Sequence, residues 1–165
     1  MLKIYGSDLS SPSNKVRFVA NYLGIPYEYI RISIRNKENK TEAFLKMNPA
    51  GKVPTIDDDG FYLFESGTIC KYLCEKHKSN LYPSELRQKA IVDQWIDFIV
   101  IHINAAMGRV LFNRVFAPIT KAEVDEKSLE CGLKFLDQYL PVVESQLVKN
   151  KYIVGDQLTL ADLTL

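Results

Sequence analysis

Residues 51–66 read GKVPTIDDDGFYLFES, the most informative stretch of the chain. Val53–Ile56 predicts a strand that begins behind a proline, and Asp57–Gly60 predicts a hairpin turn, because Asp-Gly pairs favour tight turns between strands. Phe61–Phe64 then predicts the returning strand, and Glu65–Gly67 leads into a helix. Two strands joined by so short a turn pair antiparallel, so this part of the chain predicts a β-β-α unit.

Upstream of this unit the chain predicts a β-α-β arrangement. Leu2–Tyr5 is a short apolar run that indicates a first strand, and Tyr27–Ile34 indicates a second. Between them, Pro12 suits the first position of a helix, with Ser11 before it as the N-cap. Glu42–Met47 predicts a further short helix. Because a β-α-β unit makes its two strands parallel, the four strands together predict one mixed sheet with helices on its faces.

The chain changes character near residues 80–86, where NLYPSEL predicts a linker. After it, apolar residues recur at helical spacing from Ile91 to Leu111, and again between about Lys121 and Val148, with Pro141 as a point of bending. No strand is predicted in this part. The sequence therefore predicts an α/β domain over residues 1–79 and an all-helical domain over residues 87–165.

Composition excludes several classes of protein. The 165 residues include 21 basic and 20 acidic side chains, a formal net charge of +1, and 47% hydrophobic residues. This composition is typical of a globular protein, and the near-neutral charge gives no reason to expect nucleic acid as a partner. The longest apolar stretch, Ile96–Met107, contains Asp97, so no membrane span is predicted. Three cysteines, of which Cys70 and Cys74 match no zinc-binding spacing, favour a cytoplasmic location.

Four short motifs, taken in order, carry a family resemblance. They are Ser10-Ser11-Pro12-Ser13, Gly51-Lys52-Val53-Pro54, Glu65-Ser66 and the Gly-Asp-x-x-Thr-x-Ala-Asp pattern of residues 155–162. With these motifs the chain resembles the cytosolic glutathione transferases of the serine type, the theta, delta and phi-like subgroup, over nearly all of its length. The resemblance implies a thioredoxin-like N-terminal domain followed by an all-α domain. It also implies an enzyme that joins glutathione to an apolar electrophile, with a role in detoxification.

Ser10 is the candidate catalytic residue. A serine at a helix start lies beside free backbone N–H groups and the positive end of the helix dipole, where a thiolate is stabilised relative to a thiol. The resemblance assigns the catalytic serine to Ser10, whose hydroxyl would donate to the glutathione thiolate. Ser11 and Ser13 are close neighbours, and a plain capping role is the alternative. Tyr5, near the end of the first strand, is the rival donor, although packing of its ring against the second domain is the favoured interpretation.

The resemblance also implies how glutathione would be bound. A cis Val53-Pro54 bond would present the Val53 backbone to the cysteinyl part of the tripeptide, whereas a trans proline at an edge strand is the alternative. Glu65 suits the γ-glutamyl ammonium, and Ser66 at a helix start suits the adjacent carboxylate, although Ser66 is equally consistent with a plain N-cap.

Further glutathione-binding candidates lie in the loops. Lys40 and Asn39 occupy the polar loop where this family binds the glycyl carboxylate, and Lys52 would assist them. A solvated loop charge is the alternative for both lysines. Ser11, beside the catalytic serine, completes the set of candidates.

The electrophile would lie against the first long helix of the second domain, with Met107, Leu111 and Phe112 as candidates. No metal and no bound cofactor is expected, because glutathione is a co-substrate and because His77 and His102 have no partner at ligand spacing. The family also implies a homodimer. Nucleic acid and membranes are not expected as partners.

Near the end of the chain, Thr159 and Asp162 predict a capping box at the start of a helix, with Leu158 and Leu163 as its hydrophobic staple. The sequence stops at Leu165, soon after this helix would begin. We therefore expect the helical domain to be incomplete.

Two other functions stay open. The maleylacetoacetate isomerase group begins with Ser-Ser-Cys-Ser, which resembles residues 10–13, but Pro12 replaces its cysteine and Glu65 stands where that group has glutamine. The same fold also serves translation-factor subunits and stress regulators that have lost the chemistry. The presence of Ser10, Lys40 and Ser66 argues for glutathione binding, which does not by itself prove turnover.

Overall fold

The structure is a computed structural model that describes all 165 residues. The chain divides into two compact units, Met1–Ser84 and Glu85–Leu165, each with its own buried core. The first unit contains a sheet and three helices, and the second is helical.

The first unit is built on a four-stranded sheet of β1 (Leu2–Gly6), β2 (Tyr27–Arg31), β3 (Thr55–Asp58) and β4 (Phe61–Phe64). Its order is β2-β1-β3-β4, with β1 parallel to β2 and antiparallel to β3, and with β3 antiparallel to β4. The β-α-β and β-β-α arrangement and the mixed sheet are therefore confirmed.

Helices cover both faces of this sheet. Helix α1 (Ser11–Tyr22) packs against α3 (Ser66–Lys76), and this layer shares its core with the face of the sheet that carries Ile4. On the opposite face, Tyr5 meets Phe44 of α2 (Glu42–Met47). The fully or almost fully buried side chains of this core include Ile4, Val16, Val19, Ile56, Ile69 and Leu73.

Several strand boundaries differ from the sequence expectation. Strand β1 extends to Gly6, and β3 begins at Thr55 rather than Val53. Asp57 and Asp58 belong to β3, so the hairpin turn is the pair Asp59-Gly60, where both residues have positive φ (53° and 91°). A two-residue turn of this kind matches the twist of the flanking strands. Strand β2 ends at Arg31 rather than Ile34, and the Ser33 N–H already donates to the Glu38 carboxylate (2.7 Å) outside the ladder.

The second unit begins with α4 (Leu86–Phe98), which continues through a wide π-helical segment at 99–104 into α5 (Ala105–Leu111). A second π segment at 112–116 leads into α6 (Ala117–Thr120). The long helix expected from apolar spacing is thus present and extends further than the spacing indicated. This long helix packs against the last helix of the chain. Its buried residues include Ile99, Ile103, Ala106 and Val110.

The last long helix, α7, spans Glu126–Leu147 and contains Pro141. It begins five residues later than expected, because Asp125 caps it by accepting a hydrogen bond from the Ser128 N–H (2.9 Å). Helix α7 packs closely on α5, since a Cβ on Gly132 would lie 2.9 Å from the Ala106 carbonyl oxygen.

The continuous helix Leu86–Thr120 is long and apolar enough, by length and composition, to cross a membrane. Core helices of globular proteins satisfy the same criterion, and this helix buries one side against α7. This helix is longer than the apolar stretch Ile96–Met107 identified in the sequence. Length and composition alone, however, are weak evidence that a helix crosses a membrane.

The capping box near the end of the chain is present with a modified geometry. Asp162 accepts from the Thr159 N–H (2.8 Å), as predicted, while the Thr159 hydroxyl oxygen accepts from the Ala161 N–H (3.3 Å) instead of the Asp162 N–H. The segment forms turns rather than an assigned helix. Asp162 also accepts from the Ile153 N–H (2.7 Å), a contact that ties the preceding segment 151–155 to this turn.

Candidate functional site

The strand register brings the three sequence motifs of the first unit toward one edge of the sheet. Tyr5 in β1 pairs with Thr55 in β3, and Thr55 pairs with Phe64 in β4. The carboxyl end of β1, the amino end of β3 and the carboxyl end of β4 therefore meet at the same edge. Val53 lies two residues before β3, Ser66 two residues after β4 and Ser10 four residues after β1. The carboxyl end of β2 joins the same edge, since Arg31 is paired with Gly6.

Ser10 is the N-cap of α1 and is half-buried. Its hydroxyl oxygen accepts from the Ser13 N–H (3.3 Å), which leaves the hydroxyl proton free to be donated to a ligand. The expectation that Ser11 caps the helix and that Pro12 is its first residue is wrong. Ser11 is the exposed first helical residue, and Pro12 follows it, because the backbone of Ser10 has the extended conformation of an N-cap.

Tyr5 is held within the first unit. Its ring lies edge-on to Phe44 at 6.3 Å between centroids, and burial raises the pKa of its hydroxyl above 10.0. Within the first unit, the aromatic partner of this ring is therefore Phe44 of α2. A tyrosine with a raised pKa keeps its hydroxyl proton and can still donate a hydrogen bond. The contact with Phe44 by itself explains the position of the Tyr5 ring.

Glu65 and Ser66 form the mouth of α3. Glu65 is the N-cap, with φ 69° and ψ 111°, and its exposed side chain makes no capping hydrogen bond. Ser66 is the first helical residue, so the interpretation of Ser66 as the N-cap is wrong. A non-glycine residue at such a backbone conformation costs on the order of 1–3 kcal/mol, and strain of this kind concentrates at ligand sites. The first N–H groups of α3 are left without intrahelical acceptors.

The polar loop after β2 is tied to the turn before β3. The Asn39 amide donates to the Gly51 carbonyl oxygen (2.7 Å), and the Lys40 ammonium donates to the Ala50 carbonyl oxygen (3.2 Å). Asn39 is buried, and its side-chain oxygen has no hydrogen-bond partner in the protein. Gly51 permits this contact, since it has φ 59° and a Cβ there would lie 2.8 Å from the Asn39 carbonyl oxygen.

Asn48 is a residue that the sequence reasoning missed. It is 1% exposed, and its amide donates to the Lys52 carbonyl oxygen (2.8 Å) and to the Thr55 hydroxyl (3.1 Å). Its side-chain oxygen accepts from the Ala50 N–H (3.0 Å). These three bonds fix the turn that leads to Val53. An Asn-Pro pair such as Asn48-Pro49 is a turn signal in the sequence, but it does not indicate that the asparagine is buried.

The Val53-Pro54 peptide bond is cis, as the resemblance implied. Val53 is half-buried, and its backbone N–H and C=O make no hydrogen bond within the protein. An unpaired donor and acceptor on one residue can pair with an extended peptide, as a neighbouring strand would. Lys52, just before it, is exposed.

A cavity of about 430 Å³ lies beside the segment that precedes Ser10 in the first unit. Its lining residues are Ser7, Asp8, Leu9, Arg31, Ile32, Ser33 and Glu38. Arg31 donates to the Asp8 carboxylate (2.9 Å), and this hydrogen bond is the main cause that holds the pKa of Asp8 below its ordinary value. None of these residues is a candidate from the sequence, because the Asp8–Arg31 contact joins a loop to the end of β2, 23 residues further along the chain.

The three electrophile candidates lie in the second unit. Met107 and Leu111 are one turn apart on α5, and Phe112 follows directly. All three side chains are exposed, at 37%, 42% and 47% respectively. They form an apolar surface of the second unit that can contact a ligand.

Two of the three cysteines, Cys70 and Cys74, are buried in the core of the first unit. Burial raises the pKa of each of these two thiols to about 12. They are therefore protonated near neutral pH and are poor nucleophiles. No group of three or more histidine, cysteine, aspartate or glutamate side chains converges anywhere in the structure.

Comparison with protein-family models gives two matches. Residues 4–81 match the glutathione S-transferase N-terminal domain, and residues 103–165 match the glutathione S-transferase C-terminal domain. Together the two matches cover most of the chain.

Individual proteins give the same result. Glutathione S-transferase 1 of Zea mays is 36% identical over 163 residues, which are 98% of this chain and 76% of that protein. Elongation factor 1-gamma 1 of Oryza sativa subsp. japonica is 34% identical over 166 residues, but these are only 38% of that protein.

Among solved structures, glutathione transferase F2 of Populus trichocarpa superposes with a TM-score of 0.93 at 29% identity, covering 99% of this chain and 78% of that one. Glutathione S-transferase I bound to lactoylglutathione superposes with a TM-score of 0.88 at 35% identity, covering 99% and 78%. The thioredoxin-like first unit followed by a helical unit is the architecture that these proteins share.

Proposed function

Because this chain belongs to the glutathione S-transferase family, we propose that it binds glutathione at the sheet edge described above and joins its thiolate to an apolar electrophile. The observation that carries the proposal is the strand register, which gathers Ser10, Val53 and Ser66 at one edge. Each of these residues presents an unused hydrogen-bonding group there. A related transferase structure, described as bound with lactoylglutathione, supports the choice of ligand.

The tripeptide would be held at three points. The Val53 N–H and C=O would pair with the cysteinyl residue as one strand pairs with the next. The γ-glutamyl end would place its carboxylate on the free N–H groups of α3 and the Ser66 hydroxyl, and its ammonium on the Glu65 carboxylate. At the other end, Lys40 retains ammonium protons beyond the one donated to Ala50, and these suit the glycyl carboxylate.

The chemistry would take place at the mouth of α1. The Ser10 hydroxyl would donate to the sulfur, and the positive end of the helix would favour the thiolate over the thiol. A thiolate formed in this way attacks the electrophile, forms a carbon–sulfur bond and displaces a leaving group or adds to an activated double bond. We assign the apolar surface of Met107, Leu111 and Phe112 to the electrophile.

Ser10→Ala tests the proposal most directly. Loss of a hydrogen bond to a charged sulfur costs about 1.5–3 kcal/mol, so the pKa of the bound thiol should rise by about 1–2 units. For the same reason, kcat/KM should fall about 10- to 100-fold. The pKa is measured from thiolate absorbance against pH, after retention on immobilised glutathione has established binding.

The control for Ser10→Ala is Thr41→Ala. Thr41 caps α2 with the same geometry, accepting from the Phe44 N–H at 3.3 Å, so the control loses a cap but not the candidate catalytic hydroxyl. It should lower stability without moving the pKa of the bound thiol. If Ser10→Ala leaves that pKa unchanged, Ser10 is not the donor, and Tyr5→Phe becomes the next variant to measure.

A non-catalytic function is the second candidate, since elongation factor 1-gamma 1 matches nearly the whole of this chain. The two candidates differ in turnover. A chain that is retained on glutathione, yet gives no product with a panel of apolar electrophiles, would support the binding function alone.

Further parts of the proposal come from the family resemblance. They are a homodimeric assembly, a cytoplasmic location and a role in detoxification. Sedimentation of the purified protein measures the first of these, and a monomer at micromolar concentration would contradict it.

A further inference from the structure

We propose that Asp8 and Arg31 are positioning residues that hold the segment Ser7–Ser10, defined here as the catalytic loop, in the conformation that presents the Ser10 hydroxyl. This inference rests on the proposed function, and it concerns side chains outside the four motifs. Neither residue is assigned a contact with glutathione.

The pairing of Asp8 is unusual for a loop carboxylate, because two arginines converge on it. Arg31 donates from Nε to one oxygen at 2.9 Å, and a guanidinium nitrogen of Arg17 lies 3.5 Å from the other oxygen. Arg31 belongs to β2 and Arg17 to α1. Asp8 therefore connects the catalytic loop to β2 and to α1.

The remaining bonds of the catalytic loop attach it to α1. The Asn14 amide donates to the Asp8 carbonyl oxygen (2.9 Å), and the Ser7 N–H approaches the Ser13 hydroxyl oxygen (3.4 Å). Within the loop, the Ser10 N–H donates to the Ser7 carbonyl oxygen (2.9 Å). The Tyr29 hydroxyl of β2 also interacts electrostatically with the Asp8 carboxylate. Asp8 thus links this loop to the sheet through Arg31 and, more weakly, through Tyr29.

Tyr29 anchors the two arginines. The Arg17 guanidinium carbon lies 4.3 Å from the centre of the Tyr29 ring, and that of Arg31 lies 5.7 Å from it. The Tyr29 hydroxyl is buried beside Gly6, where an added Cβ would lie 2.9 Å away. Exposed ion pairs contribute little when both side chains are free to move, whereas here both cations lie over the half-buried Tyr29 ring.

A positioning role can be separated from a simple electrostatic effect on the thiolate by the sign of the pKa change. If the charges acted only through space, Asp8→Asn would lower the pKa of the bound thiol and Arg31→Gln would raise it. If the pair holds the loop, both variants release Ser10, and both raise that pKa. The two explanations therefore predict opposite results for Asp8→Asn.

The experiment compares Asp8→Asn, Arg31→Gln and their double variant with a matched ion pair of the same unit. The control pair is Glu42 and Lys46, which are exposed and lie 2.9 Å apart on α2. We expect each single variant of Asp8 and Arg31 to lower kcat about 3- to 10-fold, with the KM for glutathione changed less than about twofold. The double variant should be no worse than either single variant, because the two side chains act as one link.

Glu42→Gln and Lys46→Gln should keep kcat and the thiol pKa near the wild-type values. A lowered thiol pKa in Asp8→Asn, or no change in either variant, overturns the inference. Hydrogen exchange of the Ser7–Ser13 amides gives a second readout that needs no glutathione, and we expect faster exchange in both Asp8 and Arg31 variants than in the controls. If the wild-type chain fails to bind glutathione, the proposed function fails, and the exchange data still decide whether the link orders the loop.

Discussion

Gly6 illustrates how a single residue sets the geometry beside the candidate site. It is the last residue of β1, and a Cβ there would lie 2.9 Å from the Tyr29 ring and hydroxyl and 3.0 Å from Ser13 Cβ. Tyr29 and Ser13 both contact or adjoin the catalytic loop. The absence of a side chain at Gly6 therefore lets the half-buried Tyr29 and the start of α1 approach the strand together.

Gly6→Ala should destabilise the first unit by about 1–3 kcal/mol, because overpacking of a filled core forces neighbouring side chains and backbone to shift. Urea unfolding measures the change. The control is Gly108→Ala on α5, where nothing lies within 4 Å of the added Cβ. There the same substitution should stabilise the helix by about 0.5–1 kcal/mol. A neutral Gly6→Ala would show that Tyr29 can move away without loss.

At the scale of elements, a cluster of three side chains joins β3 to α3. The Tyr72 hydroxyl and the Lys76 ammonium both donate to the Asp58 carboxylate, which is only 7% exposed. The hydrogen bond from Lys76, followed by that from Tyr72, holds the pKa of Asp58 below its ordinary value of 3.8. The Tyr72 ring is half-buried, and its hydroxyl makes the polar contact at the edge of the core.

The Asp58 cluster predicts an acid-dependent loss of stability. Because the pKa of Asp58 is lower in the folded chain than in the unfolded chain, its stabilisation is complete above about pH 4. It is lost as the pH falls through the lower, folded-state value. We expect the free energy of unfolding of Asp58→Asn to depend less steeply on pH below about 4 than that of the wild type.

The measurement is urea unfolding at a series of pH values. Asp156→Asn is the matched control, since Asp156 is exposed and lies in the second unit. Its profile should follow the wild type. Identical slopes for Asp58→Asn and the wild type would show that the cluster does not contribute to acid sensitivity.

At the scale of the whole molecule, the chain carries its one tryptophan in the second unit. Trp95 lies on α4 and contacts Phe98 edge-on at 5.6 Å, within a row of rings that includes His102 and Tyr139. Its fluorescence therefore reports on the helical core. Amide exchange in β1 and β3 reports on the first unit in the same sample.

These two probes test whether the units unfold separately. Since Gly6 and Trp95 belong to units with their own cores, Gly6→Ala should lower the urea midpoint of exchange in the sheet more than that of Trp95 fluorescence. The wild-type chain provides the reference for both probes. Equal shifts of both midpoints would mean that the molecule unfolds as one cooperative structure.

Much of the architecture follows from signals that are local in the chain. The Asp59-Gly60 pair, the proline before β3 and the serines before α1 each act on their immediate neighbours, and alternation or helical spacing then assigns the faces. These rules predicted the order of strands and helices, and Glu42–Met47 and Phe61–Phe64 were predicted with their observed bounds. These rules did not predict the helix caps correctly. The sequence placed the N-cap of α1 at Ser11, whereas the structure has it one residue earlier, at Ser10.

Contacts between distant parts of the chain required the folded structure. Asp8 meets Arg31, Asn39 meets Gly51 and Asp58 meets Tyr72 only after the strand register and helix packing are fixed. No rule based on spacing along the chain predicts such contacts, because the distance between the two residues is determined by how strands and helices pack. The sequence thus supplied the elements and the chemical groups of the candidate site, and the three-dimensional arrangement of the sheet placed those groups at one edge.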